Sequence, residues 1–352
     1  MRLQHFHQLR PHCLACRSDD SEFPLTISRA IREVDDDIRE GLLCCSNSDC
    51  RYEYPVIDGI PFLVPTLPEF VAANADTIRA RTDLSAMINS VLGDCCGPDA
   101  AFNITRQHLS SYGWCHYGDL DPELSDPNAG ATVHALRALH DGRPRVSGNT
   151  IDLGCSVGRG TFELAESSGH LTLGVDVNIA MLRMAQEVMT TGRVRYPLRQ
   201  VGLVYDECDF SAHFPMTQQV DFWACDVTCL PFSKQTFSHC LSLNTLDSVP
   251  SPAGLLQSIA RIMAAGGTAQ VACPYDWSSA VTPLPGWIGG HSQRAEHGGR
   301  SEAVLRQLLE AGELSRHLEV VTETDNIPWT VRTNSRSRMN YTLHATTLRR
   351  TD

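Results

Sequence analysis

The sequence has no run of about 18 apolar residues. Its first twenty residues, MRLQHFHQLRPHCLACRSDD, lack the apolar centre of a secretory signal. These absences disfavour a membrane span and export, so a soluble cytoplasmic protein is expected. An excess of positive charge is also missing: 29 Lys and Arg face 41 Asp and Glu, for a formal net charge of −12. A broad nucleic-acid footprint requires the opposite sign. The chain shows no internal repeat or low-complexity tract, which excludes a solenoid or a disordered array. The composition is otherwise that of a globular protein with a sizeable core, 42% hydrophobic and 20% charged over 352 residues. That length suits two domains, or one domain with an elaboration.

Cysteine is present but distributed unlike a disulfide scaffold, which is short and cysteine-dense. Five of the 14 cysteines fall in the first 50 residues. Cys13 and Cys16 form CLAC, and Cys44, Cys45 and Cys50 follow in CCSNSDC after a 27-residue gap. Two thiolate pairs on separate knuckles can close a tetrahedral zinc site. The expected ligands of this structural Zn2+ are Cys13, Cys16, Cys45 and Cys50, with Cys44 competing for the third place. The alternative is a small core of ordinary reduced cysteines. Cys225, Cys240 and Cys273 lie in apolar strand-like runs and are expected to be core residues.

Three regions separate along the chain. Residues 1–66 carry the cysteine cluster and read as a zinc-ribbon-like domain. Residues 67–147 read as a helical connection, including LPEFVAANADTIRARTDLSAMINSVL. Residues 148–352 alternate strand and helix patterns. Strands are expected at 150–153, 171–175, 220–224, 239–243 and 268–273, and helices at 159–168, 179–190, 253–264 and 302–309. The tail YTLHATTLRR is a candidate last strand. This alternation predicts an α/β fold with a doubly wound sheet.

The stretch NTIDLGCSVGRGTFELAESSGHLTLGVDV (149–177) places Gly154, Gly158 and Gly160 between a strand and a helix. Such glycines allow a sharp turn and let a ligand approach bare backbone. Their spacing is not the GxGxxG of the dinucleotide fold, which argues against a nicotinamide cofactor. Asp176 ends the second strand, placed to accept bonds from two ribose hydroxyls, and Asp226 ends the third in VDFWACDVTCLPF, facing an adenine amino group. Together these describe an S-adenosylmethionine pocket. The residues assigned to it are Asp152, Gly154, Cys155, Gly158, Asp176, Val177, Asp226, Val227 and Asn244.

Two resemblances add to this reading. YPVIDGIPFLVP resembles the end of small zinc-ribbon proteins that serve as activator subunits of tRNA and release-factor methyltransferases, which implies a ribbon that docks on the catalytic part or on a protein partner. From about Tyr112 onward the chain resembles the mercaptohistidine N-methyltransferase domain of ovothiol-biosynthesis enzymes. The matching pieces are HYGD (116–119), DLGCSVGRGTFELA, GRVRY (192–196), LNTLD (243–247), PYDWSSAVTPLPGWIGG (274–290) and HATTLRR (344–350). The resemblance implies a Rossmann-like class I methyltransferase sheet, the cofactor S-adenosylmethionine, and an acceptor with an imidazole nitrogen. That acceptor would be a histidine-derived small molecule or a histidine in a peptide or protein.

Asp247 would hold the ring N–H and remove its proton as the ring becomes cationic, and Asn244 would orient the ring through its amide, although Asn and Asp also commonly close turns. Tyr275 joins them as a catalytic candidate, and Tyr117, Trp277 and Trp287 would wall the pocket. Ser248 follows Asp247 where the relatives usually carry arginine, and Arg338 and Met339 stand where they carry aromatic and glutamine residues. These departures point away from mercaptohistidine itself. Two competing readings are an rRNA or tRNA methyltransferase with the ribbon as substrate reader, and a non-catalytic methyltransferase-like scaffold.

Overall fold

The central strands Thr150–Leu153 and Val220–Cys225 are buried at every position and mostly apolar, with Asp152 and Asp221 as buried carboxylates among them. Strands covered on both faces by helices require this pattern. The computed structural model describes residues 1–16, 22–80, 85–140, 147–312, 314 and 317–351. Its strands are β1 (Leu25–Val34), β2 (Asp37–Cys45), β3 (Glu53–Ile57), β4 (Ile60–Leu63), β5 (Thr150–Leu153), β6 (Thr172–Asp176), β7 (Arg193–Val201), β8 (Val204–Ser211), β9 (Val220–Cys225), β10 (Phe237–Leu243), β11 (Met263–Cys273), β12 (Leu318–Asn334) and β13 (Ser337–Arg350).

Eleven of these form one sheet in the order β1-β2-β3-β4-β9-β6-β5-β10-β11-β13-β12. The six strands from β4 to β11 pair in parallel. The two ends of the sheet are antiparallel, and the tail strand β13 pairs with β11 from Thr268↔Arg349 to Cys273↔His344. The fold is α/β with a large, mostly parallel sheet, as the alternation predicts.

Helices Arg159–Ser168, Ile179–Thr191, Pro252–Ile262 and Ser301–Glu310 stand where the apolar periodicity places them. Asn178 caps the second by accepting the Ala180 and Met181 N–H groups, and Ser251 caps the third by accepting that of Gly254. The connecting region forms helices Leu67–Ala73, Ala75–Arg79, Ala86–Cys96, Ala101–Tyr117 and Ala131–His140. Part of the helix expected within 67–92, residues 81–84, lies outside the described residues.

Successive side chains of a strand point to opposite faces, and β9 shows the result. Trp223 and Cys225 join one apolar cluster with Phe6, Leu9, Leu43, Tyr54 and Ile259. Phe222 and Ala224 join the other with Trp114, Phe162 and Leu182. The core of the cysteine region is therefore continuous with the core under the parallel sheet. β4 reaches β9 through Phe62↔Ala224 and Leu63↔Cys225. No helix among the described residues is long and apolar enough to cross a membrane.

Two features were not expected from the sequence. β7 and β8 form a separate hairpin across a turn at Gly202 (φ +55°). Its Val194, Tyr196, Cys208 and Phe210 alternate inward. β12 is a 17-residue edge strand whose bulges interrupt any clean alternation.

Candidate active site

The glycine turn follows β5 directly. Gly154 and Cys155 donate their N–H groups to the Val175 carbonyl at 2.9 and 3.0 Å, locking the turn to β6. Gly154 has φ +77°, and a Cβ there would lie 2.3 Å from Thr245 Oγ1. Gly158 has φ +92°, and a Cβ there would strike the Phe222 ring. Both positions require glycine for conformation and for space. Ser156, between them, also adopts a left-handed backbone at φ +51°, and its buried Oγ has no hydrogen-bond partner.

Asp176 holds the turn from the neighbouring strand. Its Oδ2 accepts the Ser156 N–H at 2.9 Å and its Oδ1 the Asn178 N–H at 2.8 Å. Burial pushes its carboxyl up, and these backbone donors work against that shift. Each oxygen keeps a lone pair for a ligand hydroxyl. Val177 beside it is exposed. Asp226 uses only Oδ1, which accepts the Thr228 N–H (2.8 Å) and hydroxyl (2.6 Å).

Several expected pocket residues take other places. Cys155 turns into the core: its thiol is buried and its N–H is held by Val175. The Val227 side chain likewise joins the core. Asp152 lies beneath the turn, accepting the Thr161 hydroxyl at 2.8 Å, and burial pushes its carboxyl up to about 7. Tyr117 is fully buried, and its hydroxyl donates to the Val157 carbonyl at 2.5 Å. It props the turn from below and does not wall an acceptor site.

Tyr117 belongs to a clamp that sequence reasoning missed. The Arg159 backbone N–H donates to His116 Nδ1 at 3.3 Å, and its guanidinium donates to the His116 carbonyl and to both oxygens of Asp119 at 3.1–3.3 Å. Burial holds His116 neutral, lowered to about 3. The motif HYGD thus grips the glycine turn, and its histidine is structural.

Across the turn stands the end of β10. Thr245 Oγ1 donates to the Leu153 carbonyl at 2.9 Å, joining this loop to the glycine turn. Asn244 adopts φ +53°, and its buried Oδ1 has no hydrogen-bond partner among the described residues. Asp247 is buried; its Oδ2 accepts the Asp276 N–H at 2.7 Å and its Oδ1 the Ser248 hydroxyl at 3.3 Å. Burial raises its carboxyl, partly offset by these donors. Asp247 therefore ties LNTLD to PYDW. Tyr275 bonds His344 Nδ1 at 2.9 Å, and His344 Nε2 lies 3.5 Å from Glu323, which brings in HATTLRR.

Trp277 and Trp287 stack with centroids 6.1 Å apart and planes at 17°. Their indole N–H groups donate to Ser301 Oγ and the Thr282 carbonyl. Two tyrosines also belong here. Tyr112 keeps a partly exposed side chain, while desolvation around its hydroxyl and the charges of Asp176 and Asp247 raise it. Tyr341 is raised by burial and by its contact with Asp276. Their only sequence signal is position, at the start of the resembling region and just before HATTLRR.

At the far end of the sheet, four thiols converge. The sulfurs of Cys13, Cys16, Cys45 and Cys50 all lie within 4.8 Å of one another, with Cys13–Cys50 at 3.7 Å and Cys16–Cys45 at 3.3 Å. The fully buried Tyr54 organises the CLAC knuckle. Its hydroxyl accepts the Leu14 and Ala15 N–H groups and contacts Cys13 Sγ at 3.5 Å. Cys44 points the other way, toward Thr26.

Residues 151–271, from β5 into β11, match the model of the methyltransferase domain family. The chain thus carries a methyltransferase domain of the S-adenosylmethionine-dependent class. No curated protein matches the chain. Similar solved structures include a Haloferax volcanii complex of the Trm112 methyltransferase activator with a candidate methyltransferase (17% identity, 69% of this chain and 99% of that one, TM-score 0.41). Others are an S-adenosylmethionine-dependent methyltransferase from Methanosarcina mazei (16%, 61% and 97%, 0.40) and a Haemonchus contortus phosphoethanolamine N-methyltransferase (13%, 68% and 57%, 0.40). Likenesses at this level carry no argument about substrate.

Proposed function

We propose that the protein transfers a methyl group from S-adenosylmethionine to an imidazole nitrogen of a histidine-derived small molecule, or of a histidine in a peptide or protein. The observation that carries this reading is the unpartnered Asn244 Oδ1, a buried acceptor beside the glycine turn. A buried acceptor without a donor is costly, and a neutral imidazole offers one N–H and one free lone pair. Holding the N–H selects the tautomer and leaves the other nitrogen's lone pair for in-line attack.

S-adenosylmethionine, when bound, supplies a methyl group on a cationic sulfur. The free lone pairs of Asp176 and Asp226 suit its ribose hydroxyls and adenine amino group, and Ser156 Oγ offers a further polar contact. Asp247, a carboxylate raised by burial, would take the N–H proton as the ring becomes cationic. Tyr275, its hydroxyl held by His344, would help orient the ring, and the stacked Trp277 and Trp287 favour a flat, positively charging ring.

Mass spectrometry of reactions with S-adenosylmethionine and a panel of histidine, thiohistidines, carnosine, histidine-containing peptides and bulk RNA tests this. A product one methylene heavier, with the group on the imidazole, is expected. Methylated RNA with untouched imidazoles would overturn the reading.

We further infer that Cys13, Cys16, Cys45 and Cys50 hold a structural Zn2+. Tetrahedral zinc–thiolate bonds of about 2.3 Å set sulfurs roughly 3.8 Å apart, close to the spacings of this cluster. Elemental analysis of the purified chain is expected to give one zinc per molecule, falling to none in Cys16→Ser.

A further inference from the structure

Away from the glycine turn, a cavity of about 530 Å³ lies between the helix Ala101–Tyr117, the outer face of the helix Ile179–Thr191 and the β7–β8 hairpin. This is within the ordinary range for small-molecule sites. Its wall is largely apolar, with Phe102, Leu109 and Met184 contributing. None of the residues that bind or orient the groups described above lines it.

One wall group is out of place in such surroundings. Arg106 is only 8% exposed, and burial lowers its guanidinium from the ordinary value. Its one hydrogen bond is a long one, 3.5 Å from Nη1 to Asn103 Oδ1. Its Cζ sits 4.1 Å from the centroid of the Tyr205 ring. Gly93 makes room for it, since a Cβ there would lie 2.5 Å from Nη1. The Tyr205 hydroxyl, on the same wall, is buried and has no hydrogen-bond partner among the described residues.

The other charges around the cavity are answered. Arg183 pairs with Asp58, Arg195 with Glu207, and Asp206 accepts from Gln200. Asp76 has a partner of its own, and Glu187, raised by burial, feels Arg195. Among the described residues no carboxylate is in salt-bridge reach of Arg106; Asp94 is near enough to favour its charge, but burial outweighs it. Such a charge is strongly disfavoured unless something compensates it.

We infer that this cavity is a second ligand site, built for a small amphipathic anion. Its head group, a carboxylate or the like, accepts from the Arg106 guanidinium and the Tyr205 hydroxyl, and its apolar body fills the space along Leu109 and Met184. Charge-assisted bonds to a guanidinium are among the stronger hydrogen bonds, so the charge of the head group dominates selection.

The test uses the full chain and two fluorescent probes with a common body: 8-anilinonaphthalene-1-sulfonate and its neutral counterpart N-phenyl-1-naphthylamine. One-site binding of the sulfonate at least about tenfold tighter than the neutral probe is expected. Arg106→Met should abolish that preference while raising the melting temperature of the ligand-free chain, because it removes an unpaired buried charge. Thr105→Trp keeps the cation but fills the cavity, and should exclude both probes. Asp176→Ala should leave sulfonate binding intact, which separates this site from the cofactor pocket. Equal affinity for the two probes, or an unchanged sulfonate preference in Arg106→Met, would overturn the inference. If Arg106→Met does not fold, undiminished sulfonate binding by Thr105→Trp does so.

Discussion

The cofactor end of the sheet and the thiol end are built from different materials. At the cofactor end, backbone N–H groups, carboxylates and left-handed residues hold a loop that leaves lone pairs free: Asp176 and Asp226 both keep unused acceptor capacity. At the thiol end, four sulfurs and Tyr54 converge on one another. Yet the two ends share one apolar cluster, in which Leu43 and Tyr54 pack with Leu153 and Trp223. The cysteine region is thus part of the scaffold that carries the candidate site, so disturbing either end should be felt differently at the other.

The largest effect is expected from Asp176→Ala. Two charge-assisted hydrogen bonds of about 1.5–3 kcal/mol each are lost at a ligand that needs both. S-adenosylmethionine affinity should fall about 100-fold or more, with the thiol cluster and its metal content unchanged. Calorimetric titration alongside metal analysis reads both ends at once, and unchanged affinity would refute the pocket assignment.

Next in size is Asn244→Ala. Removing a single positioned polar group from a reaction centre costs roughly 100-fold in turnover. Cofactor affinity should change little, so single-turnover rates and titration should separate. A variant with wild-type turnover would move the acceptor handle elsewhere.

Stripping the proposed Zn2+ with a chelator should lower the melting temperature by roughly 5–10 °C, the shift expected for a few kcal/mol in a chain of this size. Because the apolar cluster is continuous, scanning calorimetry should show one transition moving as a unit. An early transition that leaves the catalytic part at its original temperature would show two independent bodies.

The smallest effect concerns pH. Burial raises Asp152 to about 7 in the folded chain, above the ordinary value near 4 of an unfolded aspartate. The folded state therefore holds a proton that the unfolded chain has released between about pH 4 and 7. Its contribution to stability is full below about pH 4 and is lost as pH rises to about 7. Asp152→Asn keeps an oxygen for the Thr161 hydroxyl and should flatten the melting temperature across that window. An unchanged slope would show that Asp152 ionises freely in place.

Much of the frame was legible in the chain. The parallel strands announce themselves as short apolar runs, and the helices between them as amphipathic patterns bounded by Asn178, Ser251, Gly169 and Gly192. The glycine turn and the acids ending β6 and β9 were legible for the same reason: their chemistry is local. The clamp of His116, Tyr117 and Asp119 on the turn was not, because its partner Arg159 lies 40 residues away from Asp119. Tyr112 and Tyr341 reach the acceptor side from a helix and from an antiparallel strand, and neither sits in a pattern that marks it.

The two adjacent cysteines mark the division best. By itself the sequence determined that a thiol near the end of β2 faces its counterparts in CLAC, since paired knuckles need residues of that type at about that separation. Which thiol was decided by the pleat: neighbours on a strand point to opposite faces, so Cys45 turns inward to Cys16 while Cys44 meets Thr26. Likewise, apolar periodicity determined that β9 would be a strand, whereas β4 was not marked as one by its sequence. Their pairing, which makes one sheet of the cysteine region and the parallel strands, joins residues 162 positions apart, Phe62↔Ala224 and Leu63↔Cys225, and no local rule specifies such a meeting.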